Sequence, residues 1–329
     1  MQHEILKTRP SSARQLDVVT YENFQSDVLH GLSQPQKSLP CKWFYDEAGA
    51  ILFEEITQTP EYYLTRAETH LLQLLSPELA RHISDLETVI EPGSGSSIKT
   101  RILLRALPRL SSYIPIDISE EMLMDAARQL NEEFRSLTVT PYVHDFASPV
   151  PPMLRLDARG QRMVFFPGST IGNFSPKEAQ RLLRSFDSLV HREGWLLLGL
   201  DTTQDKRKLL AAYDDAAGIT AQFNKNILVR INRELRGNFN VDQFQHRALF
   251  NSAESRVEIH LVATQSQTVE IGGHLFVFEP GETIHTENCY KYSLDAIEQL
   301  AHGSGWQLDQ VWGDEAGIWF TEILFKTIN

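Results

Sequence analysis

Short apolar runs alternate with amphipathic runs between residues 66 and 201, and this alternation constrains the fold more than any other feature. Each apolar run ends at a turn former or an acid: ETVIEPGSGSS, SSYIPIDIS, RMVFFPGSTIGNF and GWLLLGLD. The runs between them carry apolar residues at helical spacing, and the first, RAETHLLQLLSPELARHI, has a predicted break near Pro77. Strands joined by crossover helices form right-handed βαβ units. The sequence therefore predicts an α/β fold with a parallel sheet.

The alternation stops near Asp201. Residues 202–290 begin with helical stretches and continue with period-two runs such as SRVEIHLVATQSQTVEIGGHLFVF, which predict antiparallel strands. The final segment, WQLDQVWGDEAGIWFTEILFKTIN, predicts two strands joined at a GDEAG turn. We therefore expect one domain from residues 66–201 and 291–329. A second, discontinuous α+β domain from residues 1–65 and 202–290 is expected to bind the substrate.

Charge and cysteine content narrow the classes of partner. The formal net charge of −12 and the pI of about 5.4 argue against nucleic acid or an anionic membrane surface as the main partner. Only two cysteines occur, Cys41 and Cys289, which is typical of a reduced compartment and not of a disulfide framework. No apolar run reaches about 18 residues. We expect a soluble, cytoplasmic, monomeric protein that acts on a small molecule.

The run VIEPGSGSS contains an acid followed by two glycines at a strand end, Glu91, Gly93 and Gly95. The glycines allow a sharp turn and a close approach of the backbone to a ligand. The G-x-G-x-x-G fingerprint of dinucleotide binding is absent, and a pyrophosphate is poorly matched by a neighbouring carboxylate. A carboxylate suits a cationic ligand, such as the sulfonium or ammonium of S-adenosylmethionine.

Two further acids follow neighbouring strands. Asp117 ends the second strand, where a carboxylate can accept hydrogen bonds from both ribose hydroxyls. Asp145 follows a third short strand and precedes Phe146, so this pair can bind the adenine amino group and cover its ring. A glycine pair alone is often only a turn, but the three strand ends together favour a methyltransferase over a dehydrogenase. The terminal hairpin agrees, because an antiparallel last strand is usual at the edge of class I methyltransferase sheets.

Several motifs, in order along nearly the whole chain, resemble the histidine Nα-methyltransferases of ergothioneine biosynthesis, which make the betaine hercynine. The matching runs are LPCKWFYDEAGAILFEEIT, PEYYLTRAE, EPGSGSSIKTRILL, FFPGSTIGNFSP, AYDDAAGITAQFNKN and HTENCYKYS. The resemblance implies a class I methyltransferase (Rossmann-like) sheet, S-adenosylmethionine as methyl donor, no metal, and trimethylation of the α-amine of L-histidine.

The resemblance also implies roles for individual residues. Those expected to contact S-adenosylmethionine, beside Glu91 and Gly95, are Gly93, Lys99, Asp117, Asp145 and Phe146. Those expected to hold the carboxylate and amine of the amino acid are Tyr62, Gly168, Asn173 and Tyr213. Tyr45 and Phe53 are expected near the amine, and Glu287 at the imidazole. Cys289 falls where the histidine enzymes have serine, which leaves a weaker hydrogen-bonding group. Tyr45 and Asn173 are the catalytic candidates, because uncharged groups stabilise an ammonium less than a carboxylate does.

Other interpretations exist for the same residues. On a strand, His285, Glu287 and Cys289 share one face and could be metal ligands, but they would span about 13 Å, too far for one ion. The tyrosines could be core residues and the acids helix caps. Cys289 keeps open an α-N-methyltransferase of another aromatic amino acid, such as a tryptophan derivative. A non-catalytic subunit that binds S-adenosylmethionine is the alternative from another class.

Overall fold

The computed structural model describes residues 11–95, 97–151, 160–190, 193–313 and 320–328, with the backbone alone for residues 11–21. The chain divides into two compact units. The first unit comprises Met1–Gly49, Ala221–Arg247 and Ile259–Glu287, and the second comprises Ala50–Thr220, Ala248–Glu258 and Asn288–Asn329. The predicted assignment of one domain to the cofactor and the other to the substrate stays a prediction.

Helices and strands alternate as the sequence predicts through the middle of the chain. The α-helices of the described residues are α1 (Ser11–Leu32), α2 (Glu47–Gln58), α3 (Leu64–His82), α4 (Ile98–Ala106), α5 (Glu120–Glu133), α6 (Pro176–Val190), α7 (Lys206–Ala212), α8 (Ile219–Leu235) and α9 (Leu294–His302). The strands are β1 (Lys37–Ser38), β2 (Leu86–Pro92), β3 (Ser112–Asp117), β4 (Thr138–Val139), β5 (Tyr142–Val143), β6 (Gln161–Phe166), β7 (Trp195–Asp201), β8 (Phe244–Asn251), β9 (Arg256–Ala263), β10 (Gln267–Ile271), β11 (His274–Phe278), β12 (Thr283–Tyr290), β13 (Trp306–Gly313) and β14 (Phe320–Thr327).

The second unit is built on an eight-stranded sheet. Its order is β13-β14-β7-β6-β2-β3-β4, and β5 also pairs with β3. Strands β2 to β7 pair in parallel, whereas β14 runs antiparallel to both β7 and β13. This arrangement confirms the predicted α/β fold with a parallel sheet and an antiparallel C-terminal hairpin. Most of the predicted GDEAG turn, from residue 314, lies outside the described residues.

The position of the last strand differs from the prediction. We expected it at the edge of the sheet, but β14 lies between β7 and β13, and β13 forms the edge. The burial of the two strands explains the difference. Nearly every residue of β14 is buried, as in a strand with neighbours on both sides, whereas β13 has a single buried residue, Trp306, and is otherwise half-buried or exposed.

Helix α6 covers one face of this sheet through an apolar stripe that includes Leu182, Leu183 and Phe186. These side chains join Val164 and Leu196 of β6 and β7 in one buried cluster. The cluster fixes the two strands whose ends carry candidate site residues.

Helix α3 is continuous, so the predicted break at Pro77 is wrong. Proline removes one backbone hydrogen bond and crowds the carbonyl four residues earlier, which belongs to Gln73. Gln73 is exposed, so water can satisfy that carbonyl, while buried leucines on the opposite face hold the helix against the unit.

The remaining strands, β1 and β8 to β12, form parallel and antiparallel pairings. One sheet has the order β1-β12-β9-β8, in which β1 pairs in parallel with β12, Lys37 opposite Ile284. Strands β10 and β11 form a separate antiparallel hairpin. The strand predicted for HTENCY is thus present as part of β12.

Candidate active site

The order of the strands in the second unit identifies its ligand-binding edge. From β2 the chain proceeds to β3 and β4 on one side, whereas β6 and β7 lie on the other. Ligands of open α/β sheets bind at such a switch point, outside the carboxyl ends of the strands. The loop that follows β2 here begins with Gly93, and the loop that follows β6 begins with Pro167-Gly168.

The turn after β2 brings its glycines against two predicted cofactor residues. Gly93 has a φ of 71°, which disfavours other residues. A Cβ on Gly93 would lie 3.2 Å from Cε1 of Phe146, so a larger residue would push that ring away from the turn. The Gly95 N–H donates to Asp117 Oδ2 at 3.3 Å. The structure thus brings together Gly93 with Phe146 and Gly95 with Asp117.

The two acids after β3 and β5 are each fixed by backbone amides. Asp117 Oδ1 accepts from the Ser119 N–H at 3.0 Å, and Asp145 Oδ1 accepts from the Ala147 N–H at 2.9 Å. Burial raises the pKa of Asp117 above its ordinary value, although these backbone donors act in the opposite direction. Both carboxyl groups are therefore oriented before a ligand arrives.

Glu91 is buried beneath the glycine turn. Its Oε2 accepts from the hydroxyls of Thr100, at 2.7 Å, and Tyr113, at 2.6 Å. Burial raises the pKa of Glu91 to about 7, against the lowering effect of these two hydrogen bonds. Glu91 is thus a carboxyl group whose charge changes near neutral pH, held by protein hydroxyls.

Lys99 and Gly168 meet at a residue that sequence reasoning missed, Glu68. The Lys99 ammonium forms an ion pair with Glu68 Oε2, and the Gly168 N–H donates to Glu68 Oε1 at 2.6 Å. A cofactor candidate and a substrate candidate therefore share one buried carboxylate on α3. The sequence did contain a signal for Glu68: it is the acid in RAETH, and helical spacing places it on the apolar face of α3.

Three predicted aromatic residues form a chain of edge-to-face contacts. The ring centroids of Phe53 and Tyr62 are 6.2 Å apart, and those of Tyr62 and Tyr213 are 6.4 Å apart. Both tyrosines are buried. Edge-to-face pairs stabilise a fixed ring geometry, which orients the two phenols.

Tyr213 and Cys289 are held by a buried lysine. The Tyr213 hydroxyl lies 2.7 Å from Cys289 Sγ, and Lys291 Nζ donates to both, at 3.0 Å and 3.3 Å respectively. Lys291 also forms an ion pair with Asp201, which accepts from the hydroxyl of Tyr63. We refer to Tyr63, Asp201, Tyr213, Cys289 and Lys291 as the lysine network.

The charges of the lysine network follow from its burial and contacts. Burial acts to lower the pKa of Lys291, but the Asp201 carboxylate and the Cys289 sulfur outweigh it and raise the pKa. Burial, together with Cys289, raises the pKa of Tyr213 well above its ordinary value. A charged lysine therefore lies beside a neutral phenol. Sequence reasoning missed Lys291 and Asp201, although a lysine inside CYKYS and an acid ending an apolar strand were visible signals.

Asn173 lies at the end of a 3-10 helix, Thr170–Asn173, in the loop after β6. The preceding Gly172 packs closely on β12, since a Cβ there would lie 2.7 Å from the Tyr290 carbonyl oxygen and 3.6 Å from Cys289 Sγ. The Asn173 amide is half-buried and makes no hydrogen bond to any of the described residues. It can therefore serve a ligand without giving up a protein partner.

Tyr45 and Glu287 belong to the first unit, whereas the other predicted site residues belong to the second. The Tyr45 ring packs edge-on against Phe223 at 5.4 Å. Glu287 is half-buried on β12, and its backbone carbonyl oxygen is 3.0 Å from His285 Nε2. The His285 ring stacks on His260 at 4.9 Å. His285 thus has structural partners, as expected for a residue outside the leading roles.

Two findings concern the described part of the chain as a whole. It contains no group of three or more His, Cys, Asp or Glu side chains arranged to hold a metal ion. None of its helices combines the length and apolar character needed to cross a bilayer.

Comparison with known proteins gives one consistent family. A family model described as histidine-specific methyltransferase, SAM-dependent, matches residues 24–327. The histidine N-alpha-methyltransferase of Mycobacterium tuberculosis is 40% identical over 296 residues, covering 88% of this chain and 91% of that protein. The protein of the same name from Mycolicibacterium smegmatis is 38% identical over 301 residues, covering 90% and 92%. Ergothioneine biosynthesis protein 1 of Schizosaccharomyces pombe is 28% identical, covering 88% of this chain and 39% of that protein.

A solved magnesium protoporphyrin IX methyltransferase from Synechocystis superposes with a TM-score of 0.47 at 11% identity, covering 87% of this chain and 97% of that chain. The fold assignment rests instead on the strand order of the eight-stranded sheet. The family model spans most of the chain, and two relatives above 30% identity align over nearly their whole length. The chain therefore belongs to the family of histidine-specific, S-adenosylmethionine-dependent methyltransferases.

Proposed function

We propose that this methyltransferase transfers three methyl groups from S-adenosylmethionine to the α-amine of L-histidine. The product is the betaine hercynine, and the reaction is the first step of ergothioneine biosynthesis. One observation carries the proposal: the glycine turn after β2 and the loop after β6 flank the switch point of one sheet, with the buried Tyr213–Cys289 pair beside the second loop. The names of the two mycobacterial relatives support histidine as the substrate.

The cofactor is assigned to the edge formed by β2, β3 and β5. In this proposal Gly93 and Gly95 admit the methionine part of S-adenosylmethionine, with Glu91 beneath them and Lys99 nearby. Asp117 accepts from the ribose hydroxyls. The remaining pair, Asp145 and Phe146, takes the adenine amino group and covers the ring. The amide-fixed carboxylates and the ring over Gly93 support these roles.

The amino acid is assigned to the aromatic chain and the loop after β6. Its carboxylate and amine are held by Tyr62, Gly168, Asn173 and Tyr213. Tyr45 and Phe53 line the space around the amine. Glu287 accepts an imidazole N–H, and Cys289 faces the same ring. A carboxylate discriminates against rings that cannot donate to it.

The chemistry is an in-line displacement. The amine lone pair forms the new N–C bond, the S–C bond breaks, and its electron pair stays on sulfur to give the neutral thioether S-adenosylhomocysteine. Each of the three transfers first requires loss of one proton, because an ammonium has no lone pair. The phenol of Tyr45 and the amide of Asn173 hydrogen-bond the nitrogen without a negative charge that would favour the ammonium. Positioning and exclusion of water supply most of the acceleration.

We also propose that residues 66–201 and 291–329 form the S-adenosylmethionine-binding domain and that residues 1–65 and 202–290 bind the amino acid. The enzyme is proposed to act as a cytoplasmic monomer without a resident metal. The net charge of −12 and the two distant cysteines support a cytoplasmic small-molecule enzyme. Sedimentation of the purified protein, with and without both ligands, measures the oligomeric state directly.

The test is incubation of the purified protein with S-adenosylmethionine and each free amino acid in turn, followed by mass spectrometry. We expect histidine to gain three methyl groups, with the dimethyl species as a transient intermediate. Methylation of tryptophan but not histidine would favour the other aromatic substrate. Absence of methylation on every amino acid, with S-adenosylmethionine still bound, would favour the non-catalytic subunit.

A further inference from the structure

Two buried carboxyl groups lie beside Lys99 in the second unit. Glu68 is on α3 and Glu322 on β14, and both are 0% exposed. The proposed function uses Lys99 for the cofactor and Gly168 for the amino acid, but it assigns no role to either acid. We refer to Glu68, Lys99 and Glu322 as the acid cluster.

Glu68 divides its two oxygens between the two ligand loops. Oε2 accepts from the Lys99 ammonium, and Oε1 accepts from the Gly168 N–H at 2.6 Å. Hydrogen bonds of this kind, with an ionised acceptor, are about twice as strong as neutral ones. A charged Glu68 therefore sets the positions of the lysine on α4 and the loop after β6 together. The two are also close to each other, since a Cβ on Gly168 would lie 3.4 Å from Lys99 Nζ.

Glu322 differs from Glu68 in its hydrogen-bond partners and in its protonation. Neither of its oxygens accepts a hydrogen bond from an N–H or O–H donor of the described residues, and its side chain hydrogen-bonds instead with the Glu68 carboxylate. Burial, and next the charge of Glu68, raise the pKa of Glu322 well above its ordinary value, with Lys99 only partly opposing this. An ionised carboxylate without donors in such a site would cost several kcal/mol, so the group stays neutral instead.

The glycine in the buried strand WLLLGLD makes room for this arrangement. Gly199 pairs with Glu322 across β7 and β14. A Cβ on Gly199 would lie 2.2 Å from Glu68 Oε1 and 3.3 Å from Glu322 Oε1. Both carboxyl groups therefore approach the same backbone position, and any larger residue would displace Glu68.

We propose that Glu68 is a positioning residue that fixes the Lys99 ammonium for the cofactor and the Gly168 amide for the amino acid, and that Glu322 beside it is a neutral carboxylic acid, so that Glu68 alone carries the negative charge. The positive charge of the Lys99 ammonium then balances the single negative charge of Glu68 in the acid cluster. A second charged carboxylate would leave the cluster negative and would compete with Glu68 for Lys99. This inference rests on the cofactor and substrate roles proposed above.

The first experiment measures binding of S-adenosylhomocysteine by titration calorimetry to the wild type and to Glu68→Gln, Glu322→Gln, Lys99→Met and Glu133→Gln. In Glu68→Gln an amide NH2 faces the lysine, so we expect affinity to fall tenfold or more, as in Lys99→Met. Glu322→Gln replaces a neutral acid by a neutral amide of the same shape and is expected within twofold of wild type. Glu133→Gln is the matched control, because Glu133 pairs with Arg101 and Arg105 on the same helix as Lys99.

The outcomes separate this inference from the proposed function. Wild-type methylation of histidine, assayed in parallel, decides the function by itself. Unchanged affinity in Glu68→Gln or in Lys99→Met would overturn the positioning role. A tenfold loss in Glu322→Gln would show that Glu322 acts as a charge.

Infrared spectroscopy keeps the inference testable if Glu68→Gln does not fold. We expect a carboxylic-acid C=O band in the wild type at neutral pH that is missing in Glu322→Gln. Identical spectra of the two proteins would overturn the neutral state of Glu322. Gly199→Ala gives a second route to Glu68, since its methyl group displaces that side chain; wild-type affinity in this variant would contradict the positioning role.

Discussion

Replacing Lys291 by methionine tests the lysine network most directly. Methionine has a similar length but neither charge nor hydrogen-bond donors. The change removes the ion pair with Asp201 and the hydrogen bonds to Tyr213 and Cys289. Lys291 is 3% exposed and Asp201 0% exposed, so water does not replace the lost contacts.

The expected loss of stability follows from the partners that Asp201 keeps. Removing one member of a buried ion pair costs 3–5 kcal/mol, because it leaves an uncompensated charge. Asp201 retains the Tyr63 hydroxyl at 2.9 Å and the Thr203 N–H at 3.1 Å, which places the loss near the lower end. We therefore expect Lys291→Met to lower the free energy of unfolding by about 3 kcal/mol. The double variant with Asp201→Asn should recover about 2 kcal/mol of the summed single losses, because it leaves no buried charge.

The assay is urea unfolding of the wild type, the two single variants and the double variant, followed by far-ultraviolet circular dichroism. Lys206→Met is the matched control, since Lys206 is exposed, donates to the Ser252 hydroxyl and lies over the Phe250 ring without a charged partner among the described residues. The control should change the free energy of unfolding by less than about 0.5 kcal/mol. Steady-state kinetics on the same proteins should show a raised KM for histidine in Lys291→Met, because Tyr213 loses the donor that orients it.

Two results would refute this reasoning. A loss below about 1 kcal/mol in Lys291→Met would mean that Asp201 is not held as a buried charge by this lysine. Additive losses in the double variant would mean that the two residues do not interact, whatever their distance.

Three further predictions concern single positions. Glu287→Ala should weaken use of histidine tenfold or more, about 1.4 kcal/mol, whereas Glu287→Gln should lose less; unchanged histidine kinetics would contradict the assigned role. Cys289→Ser should preserve or improve histidine turnover, because a hydroxyl still accepts from Lys291 and hydrogen-bonds more strongly than a thiol; a large loss would show another purpose for the thiol. For Glu91, the pKa rises from 4.5 to about 7 on folding, so the folded state binds the proton more tightly and stability falls as the pH rises through this range. Between these limits the free energy of unfolding of the wild type should fall by up to about 3 kcal/mol more than that of Glu91→Gln. Glu322, whose pKa is also raised, contributes to the fall in both proteins, so urea unfolding of the two is compared at each pH and equal falls would contradict the prediction.

Much of the fold could be predicted because its signals are local. Apolar runs of strand length, helical spacing and turn residues each depend on neighbours a few positions away. The parallel sheet and the terminal hairpin follow from their order. The continuous helix across Pro77 and the interior position of β14 could not be predicted in this way. Both depend on which faces are covered by distant parts of the chain, and no short window of sequence contains that information.

The residues of the candidate site also fall into those that local sequence predicts and those that depend on tertiary packing. Gly93, Gly95 and Asp117 lie at strand ends, so their positions at the switch point follow from the order of elements. Glu68, Lys291 and Glu322 gave weak signals, because an acid or a lysine among apolar residues is usually at the surface.

By itself the sequence determined the α/β alternation, the glycine turns and the resemblance to one methyltransferase family. Tertiary structure alone decided which buried charges meet: Glu68 reaches Lys99 across 31 positions and Gly168 across 100, and Lys291 reaches Asp201 across 90. The physical reason is that a buried charge is tolerable only beside its partner. Where that partner lies is fixed by the packing of strands and helices and not by the spacing of residues along the chain.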